Sequence, residues 1–348
     1  MKPMKKTSAA AAAVCSAALA VSLALSGCAS QGTGQPQSAS AEGADAPEKL
    51  TLVLDYVPNT NHTGIYVAID KGYYADAGLE VDVVQPPDDG ADALVGSGKA
   101  QLGIGFQDVM ANYLGSDDPL PVTAIAALVQ HNTSGIASRQ GEGIDRPAGL
   151  AGHAYGTWDQ DVEKAVLRSI VETDGGDWDE VALVPANSTD EIAGLRTGTF
   201  DAAWVYEGWA LQNAKVQGYP VDYFSIRSID DTFDYYTPVV IANDAWLAAQ
   251  PDAAAAFLAD TEKGYLYASE HSDEAADILV AYAPETDPEL ARVSQEYLAD
   301  LYVDDAPQWG YIDPDRWNRF YGWMNEKGLV DTPIAENAGF ANGFLPKR

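Results

Sequence analysis

The sequence predicts an α/β fold of two lobes joined by more than one crossing segment. Three observations carry this: β-like runs alternate with helical periodicity through two successive series, Gly and Pro punctuate their joints, and the last third turns mainly helical. In the first series, residues 50–57 form a β-like run. Residues 64–77 carry Ile65, Ala68, Ile69 and then Tyr73 at helical spacing and close at Gly78, and residues 79–84 are β-like again. A helix over 91–96, a strand over 102–106, a helix over 109–114 and a long β run over 122–129 follow. The second series reads as a strand over 153–158, a helix over 161–173, a strand over 181–184, a helix over 189–196 and a strand over 201–206. Residues 238–242 give one more β run. Residues 245–323 are mainly helical, in Ala-rich and Tyr-bearing stretches broken by Pro284, Pro288 and Pro307. The crossings are expected near residues 130–135 and 231–237.

The N-terminus carries an address. Lys2, Lys5 and Lys6 precede an uncharged, Ala-rich run over residues 9–25 that ends in Leu25, Ser26, Gly27 and Cys28. The segment resembles a bacterial lipoprotein signal, which implies cleavage before Cys28 and lipidation of that residue. The run is short of the roughly 20 apolar residues that a spanning helix needs. Residues 1–27 are therefore expected to be a signal peptide. Residues 28–48, rich in Gly, Ser, Gln, Ala and Pro, are expected to be a flexible tether. Two acyl chains would hold the exported protein on the extracytoplasmic face of the cell membrane. Cys15 would leave with the signal, so the mature chain keeps Cys28 alone and has no disulfide framework or Cys-based metal site. The remainder is expected to divide into lobe 1, residues 49–131 plus 237–348, and lobe 2, residues 132–236.

Charge narrows the partners. The whole chain carries −32, and without the three signal lysines 17 basic residues face 52 acidic ones, or −35. Nucleic acid and anionic membrane surfaces would have to approach a strongly negative field, so neither is an expected partner. The same field favours a cationic or neutral small ligand over an anion. His62, His131, His153 and His271 show no metal-ligand spacing, and no Gly-rich phosphate loop with a following Lys and Ser or Thr occurs. Neither metal nor cofactor is expected. Paired acids such as Asp88 with Asp89 and Asp304 with Asp305 read as solvated loop charges.

One block is specific. Asp55, Tyr56, Val57, Pro58, Asn59, Thr60, Asn61, His62, Thr63 and Gly64, followed by Lys71, Gly72, Tyr73 and Tyr74, resemble the start of solute-binding proteins of the thiamine-biosynthesis-like family. Similarity continues through residues 80–87, 103–107, 201–209 and 235–238, so it covers about residues 50–324. The resemblance implies a type II periplasmic-binding-protein fold with a two-segment hinge and one ligand in the interlobe cleft. It further implies a monomeric receptor that hands a thiamine-related pyrimidine, formylated or hydroxymethylated, to an ABC transporter permease and ATPase.

Ligands of open α/β sheets sit beyond the carboxyl ends of strands, where Asp55, Tyr56, Gln107, Trp158 and Glu207 fall in this reading. An aminopyrimidine presents a flat face and an edge of donors and acceptors. Tyr56, Trp158, Trp209, Tyr235 and Tyr236 are the candidates to stack on the face. Asp55 and Glu207, the latter the favoured carboxylate, suit the exocyclic amine, while Asn59, Asn61 and Gln107 can both donate and accept. Asn59 and Asn61 precede a helix and equally suit its cap, the better role for Asn61. His62 either faces the cleft or packs the first helical turn.

Other chemistries fit less well. An anion would want Arg, Lys or helix N-termini, and the nearest basic residues, Arg139, Arg196 and Arg227, lie outside the specific block. Riboflavin, another flat heteroaromatic, would suit the same tyrosines and amides. The family also resembles fungal pyrimidine synthases, which carry a Lys shortly before the matching His and a cysteine-rich motif. Here Pro58, Asn59, Thr60 and Asn61 precede His62 and the mature chain has one Cys, so no catalysis is expected.

Overall fold

The computed structural model describes residues 46–87, 90–186 and 190–348. The signal segment, Cys28 and nearly all of the tether lie outside these residues, as do Asp88, Asp89 and Thr189. Among the described residues ten strands form: β1 (Glu48–Val53), β2 (Leu79–Val84), β3 (Leu102–Gly105), β4 (Val122–Ala127), β5 (Ser134–Arg139), β6 (Ala154–Thr157), β7 (Ala182–Pro185), β8 (Ala202–Tyr206), β9 (Val221–Ser225) and β10 (Val239–Asn243). They build two five-stranded mixed sheets, in the orders β2-β1-β3-β10-β4 and β7-β6-β8-β5-β9.

The two sheets repeat one topology. β1 pairs in parallel with β2 on one side and β3 on the other, and β6 does the same with β7 and β8. Each sheet thus reverses its winding beside its first parallel strand, and the loops leaving β1 and β3, or β6 and β8, part around a crevice. β10 and β5 enter antiparallel. Leu52, Val53, Ile104 and Ile241 in the first sheet and Ile136, Tyr155 and Trp204 in the second are buried, as strands covered on both faces require.

The covering helices are α1 (Thr63–Asp70), α2 (Tyr73–Asp76), α3 (Gly90–Gly96), α4 (Gln107–Leu114), α5 (Asp161–Thr173), α6 (Glu191–Thr197), α7 (Gln212–Val216), α8 (Asp244–Ala249), α9 (Pro251–Glu270), α10 (Ser272–Tyr282), α11 (Pro288–Leu298) and α12 (Pro314–Lys327). Asp287 and Asp313 cap α11 and α12, each with Pro at the first helical position, where a missing N–H costs nothing. No helix of the described residues is long and apolar enough to cross a membrane.

Four expectations change. The helix over 64–77 breaks into α1 and α2 at Gly72, whose φ of 75° only glycine adopts freely. The β run over 50–57 ends at Val53, which frees Asp55 and Tyr56 from the sheet. Residues 134–139, within and after the expected crossing, are the central strand β5: Ser-Gly-Ile-Ala-Ser-Arg lacks alternation because both faces are buried. β9, a short polar-aromatic stretch, was likewise not expected as a strand. α1 and α9 cross so closely that a Cβ on Gly264 would lie 1.9 Å from the Gly64 carbonyl oxygen. This contact fixes the helix that begins where the specific block ends.

The two crossings meet at Asp234. Its carboxylate accepts from the His131 imidazole at 2.7 Å and the Asn132 amide at 2.9 Å, and the Arg316 guanidinium lies 3.5 Å away. Asp305, read as a solvated loop charge, stands 3.3 Å from the other imidazole nitrogen. The hydrogen bond to Asp234 raises the His131 pKa, an effect that outweighs partial burial. Although burial alone would raise it, the Asp234 carboxyl is held below its ordinary range by His131, the Asn132 amide and Arg316. A histidine whose pKa rises on folding stabilises fully below its unfolded value, about 6.5, and the gain is lost as pH climbs through the folded value. The Tm gap between wild type and His131→Gln is therefore expected to shrink from pH 6 to pH 8.5 by scanning calorimetry. A gap constant over that range would show that the pair does not stabilise the crossings through charge.

Candidate functional site

A cavity of about 400 Å³ lies where the two crevices face each other. The loop after β1 supplies Asp55, Tyr56, Asn59 and Asn61, and the β3 exit supplies Phe106, Asp108 and Val109. Opposite, the β6 exit brings Trp158 and Gln160 and the β8 exit brings Tyr206, Trp209 and Ala210, while Tyr235 and Pro238 enter from the return crossing. Each side therefore contributes the carboxyl ends of the two strands that flank its reversal point.

The loop after β1 is fixed by its own side chains. Asn59 caps the turn Thr60–His62: its side-chain oxygen accepts from the Asn61 amide at 2.9 Å, and its side-chain nitrogen donates to the Val57 carbonyl at 3.0 Å. Asn59 thus lines the cavity while its amide is spent on the turn, whereas Asn61, the expected cap, lines the cavity without that duty. His62 is fully buried and absent from the lining. Its Nδ1 accepts from the Asn59 amide at 3.2 Å, which leaves the Nε2 proton to be donated to Asp55 Oδ1 at 2.6 Å. His62 is a positioning residue that holds Asp55.

On the opposite side, Glu163 is 4 % exposed and gathers the Tyr155 hydroxyl, the Thr157 hydroxyl and the Trp158 amide, at 2.8, 2.9 and 3.1 Å. This brace sets the chain direction at Trp158, which stays 37 % exposed at the cavity wall and leans on Trp204 with ring centroids 6.1 Å apart. Trp209 sits on a π-helical turn, Glu207–Leu211, an arrangement frequent at functional sites.

Asp55, Tyr56, Asn59, Trp158, Trp209 and Tyr235 therefore line one cavity, and Gln107, His62, Glu207 and Tyr236 do not. Gln107 is fully buried: its side chain accepts from the Tyr236 amide at 2.8 Å and donates to the Trp317 carbonyl at 2.9 Å. Glu207 has both carboxylate oxygens taken, by the Tyr223 hydroxyl at 2.8 Å and by the Tyr297 hydroxyl. Tyr236 turns its hydroxyl to the Asp313 amide at 2.8 Å. All three lie at strand or crossing ends, but neighbouring side chains there diverge. Asp108, Trp204, Glu163 and Glu191 are lining residues that the sequence reading passed over. Asp108 lies one residue beyond Gln107 at the β3 exit, where the strand-end rule points.

The electrostatics are one-sided. The lining includes four carboxylates, Asp55, Asp108, Glu163 and Glu191, and among the described residues that form it there is no Lys, Arg or His. Arg139 is held between Glu142 and Asp201, and Arg196 is bonded to Gln217. Burial pushes the Asp108 carboxyl up to about 6 and raises Glu191 as well. Such a site can stack a flat ring and accept hydrogen bonds from amino groups; it has little to offer an anion.

Two α/β lobes with a cavity between the carboxyl ends of their strands define the periplasmic-binding-protein fold. The alkanesulfonate-binding protein SsuA from Xanthomonas axonopodis pv. citri shares that fold, with a TM-score of 0.65 over 86 % of this chain and 99 % of its own, at 9 % identity. Within the fold, the chain belongs to the NMT1/THI5-like family, whose profile matches residues 59–275. The formylaminopyrimidine-binding protein of Halalkalibacterium halodurans is 29 % identical over 88 % of this chain and 93 % of that protein. The riboflavin-binding protein RibY of Chloroflexus aurantiacus is 25 % identical over 86 % of each. A 4-amino-5-hydroxymethyl-2-methylpyrimidine phosphate synthase of Schizosaccharomyces pombe is 23 % identical over 85 % of this chain and 86 % of its own.

Proposed function

We propose that this chain is the lipid-anchored substrate-binding protein of an ABC importer, capturing a thiamine-related aminopyrimidine outside the cell and delivering it to the permease. The carrying observation is the cavity lining, in which aromatic walls from both lobes enclose carboxylates and, among the described residues, no cation. An aminopyrimidine matches it with a face for Tyr56, Trp158, Trp209 and Tyr235 and an amine-bearing edge for the acids. The relative that binds formylaminopyrimidine supports the ligand class. In this reading residues 1–27 are the signal peptide, Cys28 carries the lipid and residues 28–48 are the tether, whose last residue, Glu48, opens β1. Residues 49–131 with 237–348, and 132–236, form the lobes that close on the ligand.

Riboflavin is the second reading, favoured by the RibY relative and by a wall of aromatics that would stack an isoalloxazine equally well. Synthase chemistry fits less: no Lys occurs among residues 58–61, and both ring nitrogens of His62 are committed inside the protein. A thermal-shift panel of formylaminopyrimidine, hydroxymethylpyrimidine, thiamine, riboflavin, taurine and nitrate tests the assignment. Ligand at 100 times its Kd stabilises by about 2.7 kcal/mol. Stabilisation by a pyrimidine is expected; stabilisation by taurine or nitrate alone would sink the proposal.

A further inference from the structure

We propose that Asp108 in its acid form pairs with the amine-bearing edge of the ligand, so that binding at and above neutral pH takes up a proton. The inference rests on the aminopyrimidine reading above. Its geometric basis is independent: Asp108 Oδ1 is shut off from solvent, has no hydrogen-bond partner, and belongs to a carboxyl that lines the cavity. A buried polar atom left unpaired costs about 1–3 kcal/mol, and few survive without a reason. The edge of an aminopyrimidine offers a ring nitrogen that accepts and an adjacent amine that donates. A carboxylic acid is its complement, donating through O–H and accepting through C=O. The proton can equally sit on the ring nitrogen opposite a carboxylate, and the proton count of the complex is the same.

The surroundings favour this chemistry. Asp108 lies in the first turn of α4, where the Asp108 and Val109 amides and the Tyr235 hydroxyl oppose, without cancelling, the upward push of burial. Asp92 from α3 adds a like charge, itself hydrogen-bonded to Tyr113 on α4. Tyr206 at the β8 exit, Tyr235 in the return crossing and Tyr321 on α12 also face the group, and burial raises all three, so they stay protonated near neutral pH. Across the cavity stand Asp55 and Glu191. No basic side chain among the lining residues favours the ionised form of Asp108. With its carboxyl pushed up to about 6, the free protein holds this proton only in part at neutral pH and takes up the remainder on binding.

The test is calorimetric titration of the full-length protein with formylaminopyrimidine at pH 5.5–8.5, repeated at pH 7.5 in buffers of different ionisation enthalpy. Wild type is expected to bind with affinity level below about pH 6 and falling above it toward about tenfold per pH unit, the one-proton limit. Uptake should approach one proton per ligand at pH 7.5. Asp108→Asn keeps a donor and an acceptor without a titratable proton, so its affinity is expected to be flat with pH and its uptake near zero. Zero uptake by wild type overturns the proposal whether or not the variant folds, as does a slope that persists in Asp108→Asn. A wild type that binds no pyrimidine at any pH overturns the receptor reading itself, a result distinct from binding without proton uptake.

Discussion

Gln107→Ala is expected to lower stability by about 2–6 kcal/mol, because it strips partners from two buried backbone groups at about 1–3 kcal/mol each. The Gln107 side chain holds the Tyr236 amide and the Trp317 carbonyl, while its own backbone donates to the Tyr236 carbonyl at 3.1 Å and accepts from the Tyr321 hydroxyl at 2.8 Å. Four hydrogen bonds thus tie the return crossing and α12 to the start of α4. Denaturant unfolding measures the loss directly. The alternative role, a ligand contact, makes the opposite prediction: weaker binding with an unchanged midpoint.

The second large effect is on affinity. Trp158→Ala and Trp209→Ala each remove an aromatic wall, and by comparison with base–aromatic stacking each is expected to cost about 1–3 kcal/mol of binding. Trp158 is 37 % exposed, so its loss should leave the unfolding midpoint close to that of wild type. Combined, the two substitutions are expected to weaken a pyrimidine by roughly 30-fold to about 20,000-fold, at 1.4 kcal/mol per tenfold. Wild-type affinity in both variants, measured by calorimetry, would place the ligand elsewhere.

What could be read from the sequence follows a physical boundary. The alternation of strands and helices, the two series and the helical last third follow from local periodicity, and the structure shows them. β5 escaped because burial on both faces erases the alternation that announces a strand. In the cavity, Asp55, Tyr56, Trp158 and Trp209 were legible because strand ends fix where they lie. Which way a side chain turns from that point was not. Gln107 and Asp108 are adjacent in the first turn of α4, about 100° apart around its axis, and only one meets the cavity. Tyr235 and Tyr236 both pack against α12, yet Tyr235, stacked on Phe320, also reaches the cavity, whereas Tyr236 gives its hydroxyl to the Asp313 amide. Glu207 is held by Tyr297, a partner 90 residues away that no local pattern reveals. The neighbours that decide orientation are tertiary, so the loops of the site could be read while half of its polar side chains could not.

The most direct measurement of the central claim is a calorimetric titration of the full-length protein at neutral pH with formylaminopyrimidine and, separately, with taurine. One-to-one, saturable binding of the pyrimidine with no heat from taurine is the predicted result. Binding of taurine with silence toward the pyrimidine would contradict it, since a cavity walled by aromatics and carboxylates would then be holding an anionic sulfonate without a cation.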